Sequence, residues 1–137
     1  EILLSSDSSI GVAKAMGLGM ISYAEVLKRV NPDLLIVLGD RFEVLSVTAA
    51  AVVCKIPVGH IHGGELTAGA YDNSIRHAIT KMSHLHFACH ENYRKRIIQM
   101  GEIPESVFNV GALGVDNLSK LQLMGEEELE SSIGFNF

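Results

Sequence analysis

The run Leu34-Leu35-Ile36-Val37-Leu38, closed by Gly39-Asp40, constrains this chain more than any other segment. An unbroken aliphatic run of strand length has no polar face, and reads as a strand buried on both sides at the centre of a parallel sheet. Its flanks change period. Upstream, Val12, Ala15, Met16, Met20, Tyr23, Leu27 and Val30 recur with helical spacing across Gly11–Val30, and Asn31-Pro32 ends the helix. Downstream, Arg41 to Cys54 is apolar nearly all round, the mark of a deeply packed helix. Further strands are predicted at Ile2–Leu4, Pro57–Ile61, Leu85–Ala88 and Val107–Val110. Helices are predicted over Asn73–Met82 and Asn92–Met100, with a last helical region from Val115 that includes the acidic Glu126–Glu130. Strands alternating with helices give an α/β fold: a doubly wound, Rossmann-like parallel sheet with right-handed crossovers. Ligands of such sheets sit beyond the carboxyl ends of the strands.

Composition bounds the function. The 137 residues are 47% hydrophobic and 20% charged, enough to bury a core. A net charge of −5 without a basic run argues against a nucleic-acid surface. The longest unbroken apolar stretches, such as Ala49–Cys54, are far too short to cross a membrane. Cys54 and Cys89 have no metal or redox spacing and read as reduced, buried thiols of a cytoplasmic protein. The chain opens at Glu1 without Met and closes just after a helical stretch, so it is expected to be an internal piece of a longer protein.

Three polar clusters stand at predicted strand ends or helix starts. In Gly39-Asp40-Arg41-Phe42-Glu43, Asp40 and Glu43 fit a capping box. Alternatively, Asp40 does proton-transfer or hydroxyl-binding work while Arg41 meets an anion at the helix N-terminus. In His60-Ile61-His62-Gly63-Gly64-Glu65, strand alternation puts both histidines on one face, which leaves a His-x-His metallohydrolase open. The plainer reading is one buried His, one loop His and a glycine turn, with Gly63 and Gly64 either tight-turn residues or backbone brought close to a ligand. Asp72 and Arg76 are four apart, either a cap with an ion pair or a carboxylate and a cation facing one cleft. Arg94, Lys95 and Arg96 read as a solvated helix face, and one of His84, His86 and His90 as a core histidine. Gly17-Leu18-Gly19 and Gly111-Ala112-Leu113-Gly114 complete no dinucleotide fingerprint, which excludes NAD.

On these residues the chain resembles the hydrolysing UDP-N-acetylglucosamine 2-epimerases that begin sialic- and legionaminic-acid-type pathways. The matching segments are Ser6-Asp7, Gly17-Leu18-Gly19, Pro32 to Glu43, His60 to Glu65, Asp72 to Lys81, Met82-Ser83-His84-Leu85 and Val110-Gly111-Ala112. The resemblance implies a glycosyltransferase-B-like two-domain fold with the active site between domains. Residues 1–118 would then be part of the N-terminal domain, without its first strands, and 119–137 a helical segment leading toward a second domain. The implied reaction is loss of the C2 proton, anti-elimination of UDP, and hydration to N-acetylmannosamine or a related sugar. No cofactor and no metal are implied, and the partners are the nucleotide sugar and further copies of the chain, as a dimer or tetramer. Carried over by position, Asp40 and Asp72 match catalytic carboxylates, Arg41 an arginine that helps bind the nucleotide sugar, and Arg76 the arginine one turn later; Arg76, His60, Gly63 and Gly64 are also expected to bind substrate. His62 stands where several relatives have glutamate, and Glu65 follows, so the resemblance leaves the base open between these two. A non-hydrolysing epimerase, the metallohydrolase and a non-catalytic binding module are the competing readings. The isolated piece is expected to be inactive and to self-associate through the apolar edge of Leu34–Leu38.

Overall fold

The computed structural model describes residues 8–67, 71–115, 121 and 124–135. Its elements are α1 (Ser9–Val30), β1 (Leu35–Leu38), α2 (Phe42–Val53), β2 (Val58–Ile61), α3 (Asp72–Met82), β3 (Leu85–Ala88), α4 (Glu91–Gln99), a 3-10 turn (Pro104–Ser106), β4 (Val107–Asn109) and α5 (Glu126–Ile133). The strands form one parallel sheet in the order β1-β2-β3-β4. The strand predicted at Ile2–Leu4 and the boundary predicted at residue 118 lie outside the described residues.

Every crossover steps one place in the same direction. Right-handed connections must then put their helices on one face. The register agrees: Val58 packs with Ala50 and Ala51 of α2 and Ile75 and Ile79 of α3, while Ala88 and Val107 pack with Ile97 of α4. The pairs His60↔His86 and His86↔Val107 put these positions on the same side. Among the described residues, therefore, the sheet is covered on one face rather than doubly wound. Its other face carries Ile36 and Leu38, about half exposed, and Phe87 stacked on Phe108 at 5.8 Å. Among the described residues β1 is an edge strand in which only Val37 is buried, the apolar edge expected of the isolated piece rather than the buried centre read from composition. The strand keeps its aliphatic composition, but one flank and one face have no described neighbour.

α1 begins at an N-cap, Ser8, whose Oγ accepts from Gly11 N at 3.1 Å, and ends at Asn31 in the left-handed conformation. By length and composition it is apolar enough to cross a membrane, which a search for unbroken apolar runs misses because isolated polar residues interrupt it. Here it packs on α2, with Leu27 in the core. α2 is not packed all round. It buries Ala50, Ala51, Ser46 and Thr48, and the two hydroxyls donate to the carbonyls of Phe42 (3.2 Å) and Val44 (2.7 Å) one turn back. Val53 and Cys54 are exposed, so Cys54 is not the buried thiol expected, and Cys89 is only partly buried.

α4 is tied down by two of the arginines read as a solvated face. Arg94 Nε donates to Val107 O at 2.9 Å, and Arg96 donates to Gly64 O while lying over the Tyr93 ring. All three histidines around β3 have structural places. His84 Nδ1 accepts from Val58 N at 3.3 Å, and His90 caps α4 by accepting from Asn92 N at 3.2 Å. His86 is fully buried, with Nε2 3.3 Å from Glu102 Oε2 but without hydrogen-bond alignment.

The loop after β2 is pressed against α4 at Gly64, where φ is +76° and a Cβ would stand 2.5 Å from Tyr93 O. We expect Gly64→Ala to lower the unfolding free energy by about 1–3 kcal/mol, the cost of overpacking a filled contact. Urea denaturation of the variant checks this, and an unchanged midpoint would mean that the loop and α4 do not touch.

Candidate active site

Parallel strands send all their following loops to one end of the sheet, and the polar clusters of the sequence meet there. Asp40 follows β1, His62 to Glu65 follow β2, and Cys89 follows β3. Arg76 comes to the same place from the buried face of α3, where Ile75, Ile79 and Thr80 fix it against the core.

Arg76 is the hub. Its side chain is 7% exposed, and its guanidinium binds Asp40 Oδ2 through Nη2 and Glu65 Oε2 through Nη1 at 2.9 Å. Nη1 also donates to His62 O at 3.3 Å, and Nη2 to Thr67 Oγ1 at 3.4 Å. Bidentate geometry suits arginine for joining two carboxylates. Thr67 is held in turn by a pair of bonds with Asn73: Thr67 N donates to Oδ1 at 2.8 Å, and Nδ2 donates to Thr67 O at 2.7 Å.

Glu65 is shared among three donors. Oε1 pairs with His62 Nδ1 at 2.6 Å and accepts from Cys89 Sγ at 3.0 Å, while Oε2 takes Arg76. Burial pushes its carboxyl up, but the bonds from Cys89, His62 and Arg76 outweigh that and hold it below the usual range. The same contact, after burial, raises the Cys89 thiol to about 11. Cys89 is the member of this cluster that sequence reasoning missed. Its position one residue past a strand's carboxyl end was the available signal.

Several expectations are corrected. His60 and His62 do not share a strand face, because β2 ends at Ile61 and His62 takes φ +65°, in the left-handed region. His60 is fully buried and does not face the cleft. Nε2 bonds Gly39 O at 2.8 Å and Nδ1 bonds Thr80 Oγ1 at 3.1 Å, so it joins β1 to α3 beneath the site. The His-x-His metal pair does not form. Gly63 and Gly64 serve packing: a Cβ on Gly63 would stand 3.0 Å from His60 Nδ1 and 3.1 Å from Thr80 Oγ1. Asp40 caps no helix. Arg41 holds the N-cap position of α2 and binds Glu43 through Nε (3.1 Å) and Nη2 (2.8 Å). Arg41 is largely exposed and pairs with Glu43 rather than with Asp40 or Glu65, and Tyr71 and Asp72 are near enough to act on its charge. Asp72 is the first residue of α3 and makes no ion pair with Arg76, whose fork is committed to Asp40 and Glu65.

The chain is thus a parallel α/β sheet with an arginine–carboxylate–histidine cluster at its carboxyl end, where ligands of such sheets bind. The family model for UDP-N-acetylglucosamine 2-epimerase matches residues 1–135, and the chain belongs to that family. It is 42% identical over 132 residues to a Campylobacter jejuni GDP/UDP-N,N'-diacetylbacillosamine 2-epimerase (hydrolyzing), covering 96% of this chain and 34% of that protein. It is 44% identical over 134 residues to polysialic acid biosynthesis protein P7 of Escherichia coli, covering 98% and 34%. The crystal structure of UDP-GlcNAc 2-epimerase from Neisseria meningitidis bound to UDP-GlcNAc superimposes with a TM-score of 0.81 at 25% identity, over 97% of this chain and 38% of that one. The Rossmann-like sheet of a glycosyltransferase-B-type fold is therefore as expected, and the chain spans about a third of the length of these relatives.

Two measurements test the site. Removing the cation in Arg76→Met leaves two carboxylates facing each other, and loss of one partner of a buried pair costs about 3–5 kcal/mol. Asp40 and Glu65 keep about a quarter of their exposure, so we expect the low end, read by urea denaturation. A loss near zero would make the fork a surface contact.

The second measurement concerns His60, whose burial lowers its pKa to about 4 from 6.5. The unfolded chain then takes the proton first as pH falls. His60 stabilises the fold fully above about pH 6.5, and that stabilisation of about 3 kcal/mol is lost as pH falls through about 4. In an NMR titration its ring should stay neutral to about pH 5, unlike a solvent-exposed histidine. A midpoint at the ordinary 6.5 would contradict its burial.

Proposed function

We propose that the protein containing this chain is a hydrolysing 2-epimerase of a UDP-2-acetamido sugar. UDP-N-acetylglucosamine is the first substrate to test, and UDP-N,N'-diacetylbacillosamine, named for the Campylobacter and Legionella relatives, the second. The carrying observation is the Asp40–Arg76–Glu65–His62 cluster at the carboxyl end of the sheet.

A C2 proton beside an acetamido group is weakly acidic and calls for a positioned base. Glu65 is poorly suited, since both its oxygens are taken by donors. His62 suits the role: Glu65 holds Nδ1 and so orients the ring, leaving Nε2 to take the proton. Glu65 is then a positioning residue. As the C2 proton leaves, the bond from C1 to the phosphate oxygen breaks, giving UDP and a 2-acetamidoglucal. In this reading Arg41, exposed at the start of α2, meets the pyrophosphate, and Asp40 and Asp72 serve as acids or hydroxyl acceptors; the exposure of Arg41 and the helix-start position of Asp72 support it. Water then adds across the glucal and gives the 2-epimer. Neither the elimination nor the hydration transfers a hydride, so this route gives a nicotinamide no step to carry. We take the whole protein to act in the cytoplasm as a homo-oligomer.

The test is turnover of the full-length protein in deuterated water, followed by NMR. Deuterium should appear at C2 of the free sugar together with UDP. His62→Gln should lose about 10²-fold or more in rate, in line with general base contributions. Glu65→Gln should also slow turnover and move the pH profile, because it disturbs the ring that does the work. Asp40→Asn should remove most turnover. Sugar released without deuterium would sink the elimination mechanism, and full activity in His62→Gln would return the base to Glu65 or Asp72.

A further inference from the structure

We propose that His62, Glu65 and Cys89 form a binding site for a thiophilic divalent metal ion, zinc above all, which occupies the cluster in competition with catalysis. The three lie on two loops at adjacent strand ends, and one donor atom from each falls within 4.8 Å of the others. Imidazole, carboxylate and thiolate are the donors that zinc takes in tetrahedral sites. Each is partly buried, so the site is reachable from the cleft.

The present hydrogen bonds mark where the ion goes. Glu65 Oε1 is the shared partner of both His62 Nδ1 and Cys89 Sγ, at 2.6 and 3.0 Å. Zinc bond lengths of about 2.0–2.3 Å in a tetrahedron set these separations at about 3.3–3.6 Å, so the cluster has to open by roughly half an ångström. Glu65 lies in a loop that already turns through left-handed backbone at His62 and Gly64, and its Oε2 stays on Arg76 of α3 while Oε1 turns to the ion. The fourth position faces the cleft and is left for water.

Protons and charge balance. On binding, the Cys89 thiol loses its proton to solvent. The imidazole, donating from Nδ1 before, moves its one ring proton to Nε2 and stays neutral, which frees Nδ1 for the ion. The carboxylates of Asp40 and Glu65 and the new thiolate then balance Arg76 and the ion, so the bound cluster carries no net charge. Because binding releases the thiol proton, it weakens as pH falls.

The catalytic consequence rests on the reading of His62 as base: the ion shifts the proton to Nε2, and turnover stops. The binding itself does not depend on that reading and is measured apart from it. Full-length protein in a Cys54→Ser background, which removes the exposed thiol, is titrated with Co²⁺ as a spectroscopic stand-in and then with Zn²⁺. A thiolate-to-cobalt charge-transfer band should grow to one equivalent and be displaced by Zn²⁺. Cys89→Ser should abolish the band. Because outer-shell partners alone are worth about 10–100-fold in affinity, loss of this ligand should weaken zinc binding by about 100-fold or more. His62→Gln should keep the band but weaken binding, which guards against a Cys89 variant that fails to fold. A cobalt spectrum without a thiolate band, or equal affinity with and without Cys89, would overturn the site. Binding as described but with turnover unaffected by zinc would leave the site standing and reject His62 as the base.

Discussion

The site depends on one buried guanidinium. Arg76 leaves α3 on the side that packs against the sheet, so its direction is set by the burial of Ile75, Ile79 and Thr80 rather than by any polar partner. From there it reaches Asp40 after β1 and Glu65, His62 O and Thr67 after β2. Two carboxylates at one sheet end repel unless a cation stands between them. The hydrophobic packing of α3 therefore fixes the electrostatics of the cleft, and the loop after β2 takes its shape from the same side chain.

A second layer lies beneath. His60 fills the space between Gly39 O and Thr80 Oγ1, both ring nitrogens satisfied, and Gly63 leaves it room. A buried imidazole pays for desolvation by staying neutral, which matches the strong depression caused by burial. The segment His60-Ile61-His62-Gly63-Gly64-Glu65 thus divides its work within six residues. The first histidine is structural, the glycines make close packing possible, and the second histidine and the glutamate face the cleft.

Much of this was legible in the sequence. Strand and helix order followed from the change of hydrophobic period, and four of the predicted strands appear within a residue of their expected ends. What the sequence hid was long-range. Asp40 and Arg76 are 36 residues apart, while Glu43 and Asp72 offered local partners at familiar spacings. Local pairing was the plausible reading, and the tertiary pair won because α3 packs its arginine inward. The His-x-His reading failed for a backbone reason: a period-2 argument holds only while the strand continues, and His62 turns left-handed one residue past its end. Burial of Leu34–Leu38 was misjudged because composition shows what a strand is suited to contact, not which neighbours are beside it.

The partly exposed carboxylates bear on how such a cluster could work. Asp40, His62 and Glu65 each keep about a quarter of their side-chain exposure, while Arg76 keeps almost none. The cation is already dry and the acids are wet. Covering this end of the sheet would therefore change the carboxylates and His62 far more than the arginine. In the lower dielectric of a closed cleft, each interaction with Arg76 strengthens without any rearrangement, because the fork is already in place. Closure would also remove the water that competes for His62 Nε2. A ligand that covered this end of the sheet would therefore strengthen the contacts of Asp40 and Glu65 with Arg76 and of Glu65 with His62 together, without moving the fork.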